Sequence, residues 1–482
     1  MEDYDVIVVG AGISGLLSAL ALSKHGNKVL VLEKDNVVGG NCNSYMVDGF
    51  QVDTGAHAIT HLQVGPLRRL MDNYFDYVPV FEDYGNYYIR TENQFIKVPS
   101  NIKEFVTFDV LPRKDRMVLT QAITKALTYS TFGTDLEKQS VYEFMPANLS
   151  ADTYDFVDTI CHFLSGKDRK QTSVQRVLAG SSFVRDSVPE ELLENIVKSN
   201  ERMTEEPVPK TILPPNLHAS LQTRINKVSN PFTSLGRLAT NKVSYSQGYP
   251  RKGLKALLNA LLSSLPKTVE IKTGCQVKKI LTDKGKITGV EADEVYNASK
   301  VVYTGFVTEL PSMVESLPSS YIEELKGVVH TKSLSIWTGL DSTMDEFKYI
   351  GSEIWFKDSP YWAMPISNYD ASLAPKRKQL VGFSFIIDEQ ANEKVQIKNA
   401  YETIYRAIPG IEDHIQMKHN QITIPEKAAV TIDGYFADVR TPISGLYTAG
   451  TDTDKRSMGI TRAAYSVIEL LKKMNEDNSL HR

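Results

Sequence analysis

Residues 5–33 read DVIVVGAGISGLLSALALSKHGNKVLVLE, and no other stretch constrains the fold as tightly. Residues 6–9 form a short, β-branched apolar run, the pattern of a strand buried on both faces of a parallel sheet. Gly10, Gly12 and Gly15 follow at once as G-x-G-x-x-G. Leu16, Leu17, Leu20 and Leu22 then recur at helical spacing, Gly26 ends that helix, and residues 29–32 give a second buried strand that closes on Glu33. Strand, glycine turn, helix, strand and acid in this order predict a dinucleotide-binding βαβ unit. Gly10 permits the tight turn, Gly12 lets a diphosphate approach the backbone, and Gly15 lets the helix pack close to the strand. The N–H groups at the helix start, around Ile13 and Ser14, and the positive end of the helix dipole suit the phosphates. Glu33, followed by Lys34, ends the second strand, where a carboxylate accepts hydrogen bonds from ribose hydroxyls.

The next residues say which dinucleotide. Val38-Gly39-Gly40-Asn41 follows the acid after a short loop, and Gly49-Phe50-Gln51-Val52-Asp53-Thr54-Gly55-Ala56 comes soon after. A nicotinamide enzyme has no evident need for a second glycine pair here, whereas a bound flavin requires the chain to pass close to the rest of the cofactor. This combination resembles the flavoprotein superfamily of amine oxidases, protoporphyrinogen oxidase and phytoene desaturase, and the phytoene desaturase-like branch in particular. In that family the acid strand is followed by a GG-R motif and then a GF-x-x-D-x-G segment; here Asn41 stands where arginine is usual. The resemblance implies FAD as cofactor, with contacts at Gly39, Gly40, Asn41, Gly55 and Ala56 added to those of the first glycine loop.

Two later blocks extend the resemblance. Residues 247–254 (QGYPRKGL) open an amphipathic helix; residues 269–273 and 274–280 read as strands, Lys284-Gly285-Lys286 as a hairpin turn, and residues 301–303 as a buried strand leading to Thr304-Gly305. In the family a T-x-V strand lies beside the adenine, and Val277 matches that valine. Near the end, Gly445-Leu446-Tyr447-Thr448-Ala449-Gly450-Thr451-Asp452 resembles the family's GLY-x-x-GD strand, with Thr451 interposed before the acid, so Gly450 and Asp452 join the implied cofactor set. Gly459-Ile460 then opens a helix whose N-terminus, in the family, points at the flavin pyrimidine, where it stabilises negative charge on the reduced ring.

At 482 residues the chain exceeds one ordinary core. The expected fold class is α/β: a discontinuous Rossmann-type FAD-binding domain (1–79, 245–310 and 426–476) and a mixed α+β substrate domain (80–244 and 311–425, with 100–244 mostly helical). Helices are expected at 66–74, 113–130, 141–144, 153–165, 189–199 and 395–408, a hairpin at 87–98, strands at 333–340 and 379–387, and a loop at 207–215, which holds four prolines. The aromatic segments 74–88 and 355–362 read equally as core sheet and as the lining of a pocket for a bulky apolar substrate. Residues 105–125 mix apolar and basic side chains, consistent with a helix packed on its own domain or with one that touches a membrane surface.

Net charge is −4, so no basic field invites nucleic acid. The three cysteines, Cys42, Cys161 and Cys275, lie far apart with no C-x-x-C, which gives neither a zinc site nor a disulfide framework and suits a reducing cytoplasm. No segment has the roughly 20 apolar residues of a membrane span, and the acidic N-terminus lacks the basic region of a signal peptide. The expected location is cytoplasmic with peripheral membrane contact.

For catalysis, His57 and His61 follow Gly55 directly, and a histidine there can act as acid or base near neutral pH; His57 is the candidate. Their i, i+4 spacing lacks the H-E-x-x-H pattern, so no metal is expected. Three functions fit: an FAD-dependent oxidoreductase of the desaturase or dehydrogenase type on an isoprenoid or other apolar lipid chain, a non-redox flavoprotein that hydrates or isomerises a prenyl double bond, and a prenyl-binding escort of the same fold. An amine oxidase is the further rival. Partners expected are an apolar small molecule or lipid and no nucleic acid.

Overall fold

The structure, a computed structural model, describes residues 4–55, 57–62, 65–99, 102–131, 134–180, 247–388 and 390–480. Two large sheets organise it. The first runs in the order Lys279–Asp283, Lys286–Glu291, Val295–Tyr303, Tyr4–Val9, Val29–Leu32, Val269–Lys272, and Leu446–Thr448 pairs with Val295–Tyr303. Its central strands are parallel: Ile7 lies opposite Leu30 on one side and Val301 on the other.

Both faces of these strands are covered, which is why they read as unbroken apolar runs. Val6, Val8, Val29 and Val31 pack under the helices Ile13–Lys24, Leu254–Ser263 and Gly459–Glu476, against Leu16, Leu20, Leu257, Leu261, Val467 and Leu471. Ile7, Val9, Leu30 and Leu32 face the opposite way, onto Ile280, Ile287 and Val290 of the antiparallel strands and onto Leu310 and Tyr321.

The second sheet has the order Ile415–Glu426, Thr331–Leu340, Gln379–Ile386, Tyr361–Met364, Gly351–Trp355, Asn86–Arg90, Phe95–Lys97. Helix Glu393–Ala407 covers one face through Ala400 and Ile404, which meet Leu334, Ile336 and Phe383. Inside this sheet Glu353 is fully buried: Arg90 grips both its oxygens at 2.7 and 2.6 Å, and the Tyr349 and Tyr361 hydroxyls each donate to it at 2.9 Å. A helical block (Ile102–Thr107, Arg113–Thr131, Val141–Phe144, Ala151–Ser165, Val174–Gly180) packs against the sheet edge through Phe105, Phe108, Leu111 and Leu119, next to Ile89, Ile354 and Phe356.

The hairpin closes at residues 91–94, where Thr91 N–H donates to Gln94 O at 2.9 Å. The expected strand over 274–280 is shorter, beginning at Lys279, because Gly274 and Cys275 spend their N–H groups on the carbonyls of Asp35 and Glu33. The apolar residues of the 105–125 stretch turn inward, leaving Val106 and Met117 exposed. The aromatic segments divide: Tyr74, Tyr84, Trp355, Phe356 and Tyr361 are core, while Tyr87 and Trp362 reach a cavity. The helix expected at 189–199, the loop at 207–215 and the site residue Ala56 lie outside the described residues.

Candidate cofactor and substrate site

The first glycine loop sits at the carboxyl ends of the parallel strands, where open α/β sheets bind ligands. Gly10 has φ +101°, and a Cβ there would stand 2.7 Å from Thr304 Oγ1. A Cβ on Gly15 would meet Gly10 O at 2.0 Å, so the helix sits directly on the turn. At Gly12 no protein atom lies within 4 Å of the Cβ position, and its extended backbone (φ −69°) caps the helix with no side-chain hydrogen bond. The N–H groups of Ile13, Ser14 and their neighbours are the donors that a helix leaves unpaired at its start.

The second glycine pair completes the cradle. Gly39 N–H donates to Ala11 O at 2.8 Å, Gly12 and Gly39 form a parallel bridge, and a Cβ on Gly40 would lie 3.3 Å from Gly12 Cα. Glu33 is buried at the rim. Its Oε2 accepts from Ala11 N–H at 2.6 Å and its Oε1 from Asp35 N–H at 2.9 Å, which fixes both oxygens and leaves each a second lone pair. Lys34, beside it, is exposed. Val277 is buried against Glu33's strand, held there by the Cys275 N–H bond to Glu33 O. Asn41 is exposed and donates to Ile424 O at 2.9 Å, tying the cradle to the second sheet.

Near Thr304, on the other flank of the Gly10 turn, Asp452 is 1% exposed. Its Oδ2 accepts from Val307 N–H at 2.9 Å, while Oδ1 is buried with no hydrogen bond. Burial pushes this carboxyl up, opposed by the nearby Lys427 ammonium. Lys427 itself donates to the carbonyls of Thr304 and Gly305. A Cβ on Gly450 would meet Asp452 Oδ1 at 2.6 Å, so a side chain there would displace this acid.

Gly459 opens the C-terminal helix (Gly459–Glu476) with φ +52°. Its N–H donates to Glu426 Oε1 at 2.5 Å, and Glu426 Oε2 lies 2.9 Å from Arg462 Nη1. A helix start attracts the nearest carboxylate; the next free donor is the N–H of Ile460. Gly55 is buried and donates to Gln421 Oε1 at 2.9 Å. His57 lies in the cavity wall, its Nε2–H donating to Thr54 O at 2.9 Å, so Nδ1 is the ring nitrogen left for chemistry.

The cavity measures about 500 Å³ and opens between the helix start at Gly459, the second sheet and the helical block. Glu426, Arg462, Arg176 and Lys332 share its wall with His57. These four were not foreseen. They are ordinary charged residues in local sequence, and distant pairings bring them together. Asp53, in the GF-x-x-D-x-G segment, does not face the cavity; it is buried under Ser44 (2.6 Å), Tyr249 (2.5 Å) and Leu254 N–H (3.2 Å), and so joins that segment to the QGYP turn.

The residues fit FAD. The glycine cradle is open at Gly12, Glu33 presents two oriented oxygens, and Asp452 holds a buried acceptor without a donor. Residues 13–465 match the family model described as flavin containing amine oxidoreductase. The chain is 56% identical over 102 residues to an uncharacterized protein in the nifH2 3′ region of Methanothermococcus thermolithotrophicus, covering 98% of that protein and 21% of this chain. It is 47% identical over 72 residues to all-trans-retinol 13,14-reductase of Danio rerio, a stretch that is 15% of this chain and 12% of that protein. Among solved structures, an oxidoreductase from Methanosarcina mazei superposes with a TM-score of 0.68 at 19% identity, over 97% of this chain and 100% of that one. The chain therefore belongs to the flavin containing amine oxidoreductase family, and it is an oxidoreductase whose cofactor is FAD.

Proposed function

We propose that this oxidoreductase is of the desaturase or dehydrogenase type, as in the phytoene desaturase-like branch, and acts on an isoprenoid or other apolar chain. The observation that carries the reading is the cavity beside Gly459, whose wall includes Tyr87, Val98, Ile160, Phe163, Ile354 and Trp362. Apolar walls with a few placed polar groups suit an apolar ligand. Likeness to a retinol reductase supports the same class. A small amine would need a spare carboxylate. Among the described residues the wall has two, and both are paired, Glu137 with Lys455 at 2.8 Å and Glu426 with Arg462 at 2.9 Å.

In this reading the N–H groups from Gly12 to Gly15 hold the diphosphate, with Gly39 and Gly40 closing over it. Glu33 holds the ribose, Val277 lies against the adenine, and Gly450 and Asp452 meet the remaining hydroxyls. When bound, FAD supplies a two-electron hydride acceptor or donor. The Ile460 N–H and the helix dipole would favour negative charge on a group held at the helix start. His57 Nδ1 exchanges the proton that accompanies hydride transfer.

Among the described residues no helix is long and apolar enough to cross a membrane. Supply of such a substrate from a lipid surface belongs to the same proposal, with Val106 and Met117 as exposed contacts. The test is turnover of prenyl alcohols, retinol and carotenes against putrescine and spermidine, followed by flavin absorbance and product mass. Conversion of apolar chains supports the reading. An isomerised or hydrated product with no net redox change moves it to the non-redox alternative, and oxidation of the amines overturns it.

A further inference from the structure

Glu426 ends the strand Ile415–Glu426 in the cavity wall and faces the start of the helix Gly459–Glu476. Its Oε1 accepts from Gly459 N–H at 2.5 Å, so the carboxylate covers the first donor of that helix. Its Oε2 is buried 2.9 Å from Arg462 Nη1, yet among the described residues it accepts no hydrogen bond. Nη1 donates instead to Ala428 O at 2.9 Å, and Nη2 and Nε donate to Ser457 O at 2.8 and 3.2 Å. Backbone carbonyls therefore hold Arg462 whether or not Glu426 carries charge. Burial raises the Glu426 carboxyl above its ordinary value, against the opposing pull of Arg462, Gly459 N–H, Arg176 and His57. Lys332 and the Lys455–Glu137 pair line the same wall, while Lys427 turns away to the carbonyls of Thr304 and Gly305.

A second negative charge at this helix start would repel the carboxylate at close range, and the lower-energy arrangement leaves one of the two groups neutral. We propose that Glu426 is a redox-linked proton acceptor: when the bound flavin is reduced and negative charge is held at the start of the Gly459 helix, the carboxylate takes a proton from solvent. The substrate supplies the electron pair with a hydride, which leaves the flavin reduced and anionic. The solvent proton makes Glu426 a neutral acid that still accepts from Gly459 N–H. This rests on the reading that places negative charge at that helix start, and adds the group that answers it.

The test is the midpoint potential of the bound flavin, measured against a reference dye with xanthine and xanthine oxidase at about pH 5–9, in wild type and Glu426→Gln. One extra proton per electron pair changes the equilibrium constant roughly tenfold per pH unit, so the wild-type potential should fall more steeply by about 30 mV per unit. That extra slope should appear between the Glu426 pKa with oxidised flavin and its higher value with reduced flavin, and Glu426→Gln should lack it. A Glu426→Gln potential displaced equally at every pH overturns the proton uptake and leaves the helix-start reading standing. A potential unchanged at every pH overturns both. Extra slope that is lost in His57→Gln and kept in Glu426→Gln assigns the proton to His57 and overturns the proposal. Where Glu426→Gln fails to hold FAD, electrochemical reduction of the wild type with an indicator dye decides. An anionic reduced-flavin spectrum with a second proton taken up per flavin supports the proposal; that spectrum with a single proton, or a neutral reduced-flavin spectrum, overturns it.

Discussion

Replacing Glu33 with alanine is the sharpest test of how the cofactor is held. Both carboxylate oxygens are oriented by backbone donors, Ala11 at 2.6 Å and Asp35 at 2.9 Å, and each retains a lone pair for a ribose hydroxyl. A hydrogen bond to a charged group contributes about 1.5–3 kcal/mol. Two such bonds to one ribose are not additive, so a total loss of about 2–3 kcal/mol is expected, roughly 30- to 150-fold in the FAD dissociation constant. Glutamine is no milder, because its amide nitrogen would have to face the N–H of Ala11 or of Asp35. Ala11 is fully buried, and stranding its donor adds about 1–3 kcal/mol of lost apoprotein stability. The assay is titration of apoprotein with FAD and, in parallel, with FMN, which lacks the adenosine half. FAD affinity should fall and FMN affinity should hold. Unchanged FAD affinity, or an equal loss for FMN, would refute the argument.

Gly12→Ala and Gly15→Ala should separate binding from folding. The first places a methyl where no protein atom lies within 4 Å, so the apoprotein should melt normally while FAD affinity drops; the second drives Cβ to 2.0 Å from Gly10 O and should lower the melting temperature outright. Arg90→Ala should cost about 3–5 kcal/mol in urea denaturation, since it leaves Glu353 charged and buried. His25 is 3% exposed and burial holds its pKa below the ordinary value. The unfolded chain therefore takes up a proton first, and native stability should fall as pH drops from about 6.5 toward the folded pKa, by at most about 1.4 kcal/mol per pH unit; His25→Asn should flatten that slope in denaturation curves taken across this range. Finally, FAD should be released on denaturation: all three cysteines are buried, and burial pushes the Cys42 and Cys161 thiols up to about 12, far from the reactive thiolate range. Flavin that stays with the precipitated chain would show a covalent link.

The cofactor cradle was legible because its constraints are local. Gly10 and Gly15 are demanded by a turn and a helix packed on each other, within six residues, and Glu33 stands at the end of the strand that the same unit predicts. The helix Pro66–Tyr74 and the strand Gln379–Ile386 were likewise readable from periodicity and a proline start. Pairings across long sequence distances were not. Nothing around Arg90 announces Glu353, and nothing near Asp53 announces Tyr249; each looks like a solvated polar residue until the sheets assemble. The stretch 274–280 misled for a related reason: it has strand-like residues, but its first N–H groups are claimed by the Glu33 turn. The inward turn of Phe105 and Phe108 depends on the neighbouring sheet, which periodicity alone does not place.

The order in which the first sheet is assembled carries a cost in biosynthesis. Its founding strands end at Leu32, yet Leu446–Thr448 completes one flank and the helix Gly459–Glu476 covers one face. At about 5–20 residues per second, roughly 20–90 s of translation separate these pieces. During that interval Val6, Val8, Leu16 and Leu20 lack part of the cover they have in the finished protein, so apolar surface stays open during synthesis. Slowing translation between the two halves should raise aggregation of the newborn polypeptide without altering the stability of molecules already folded.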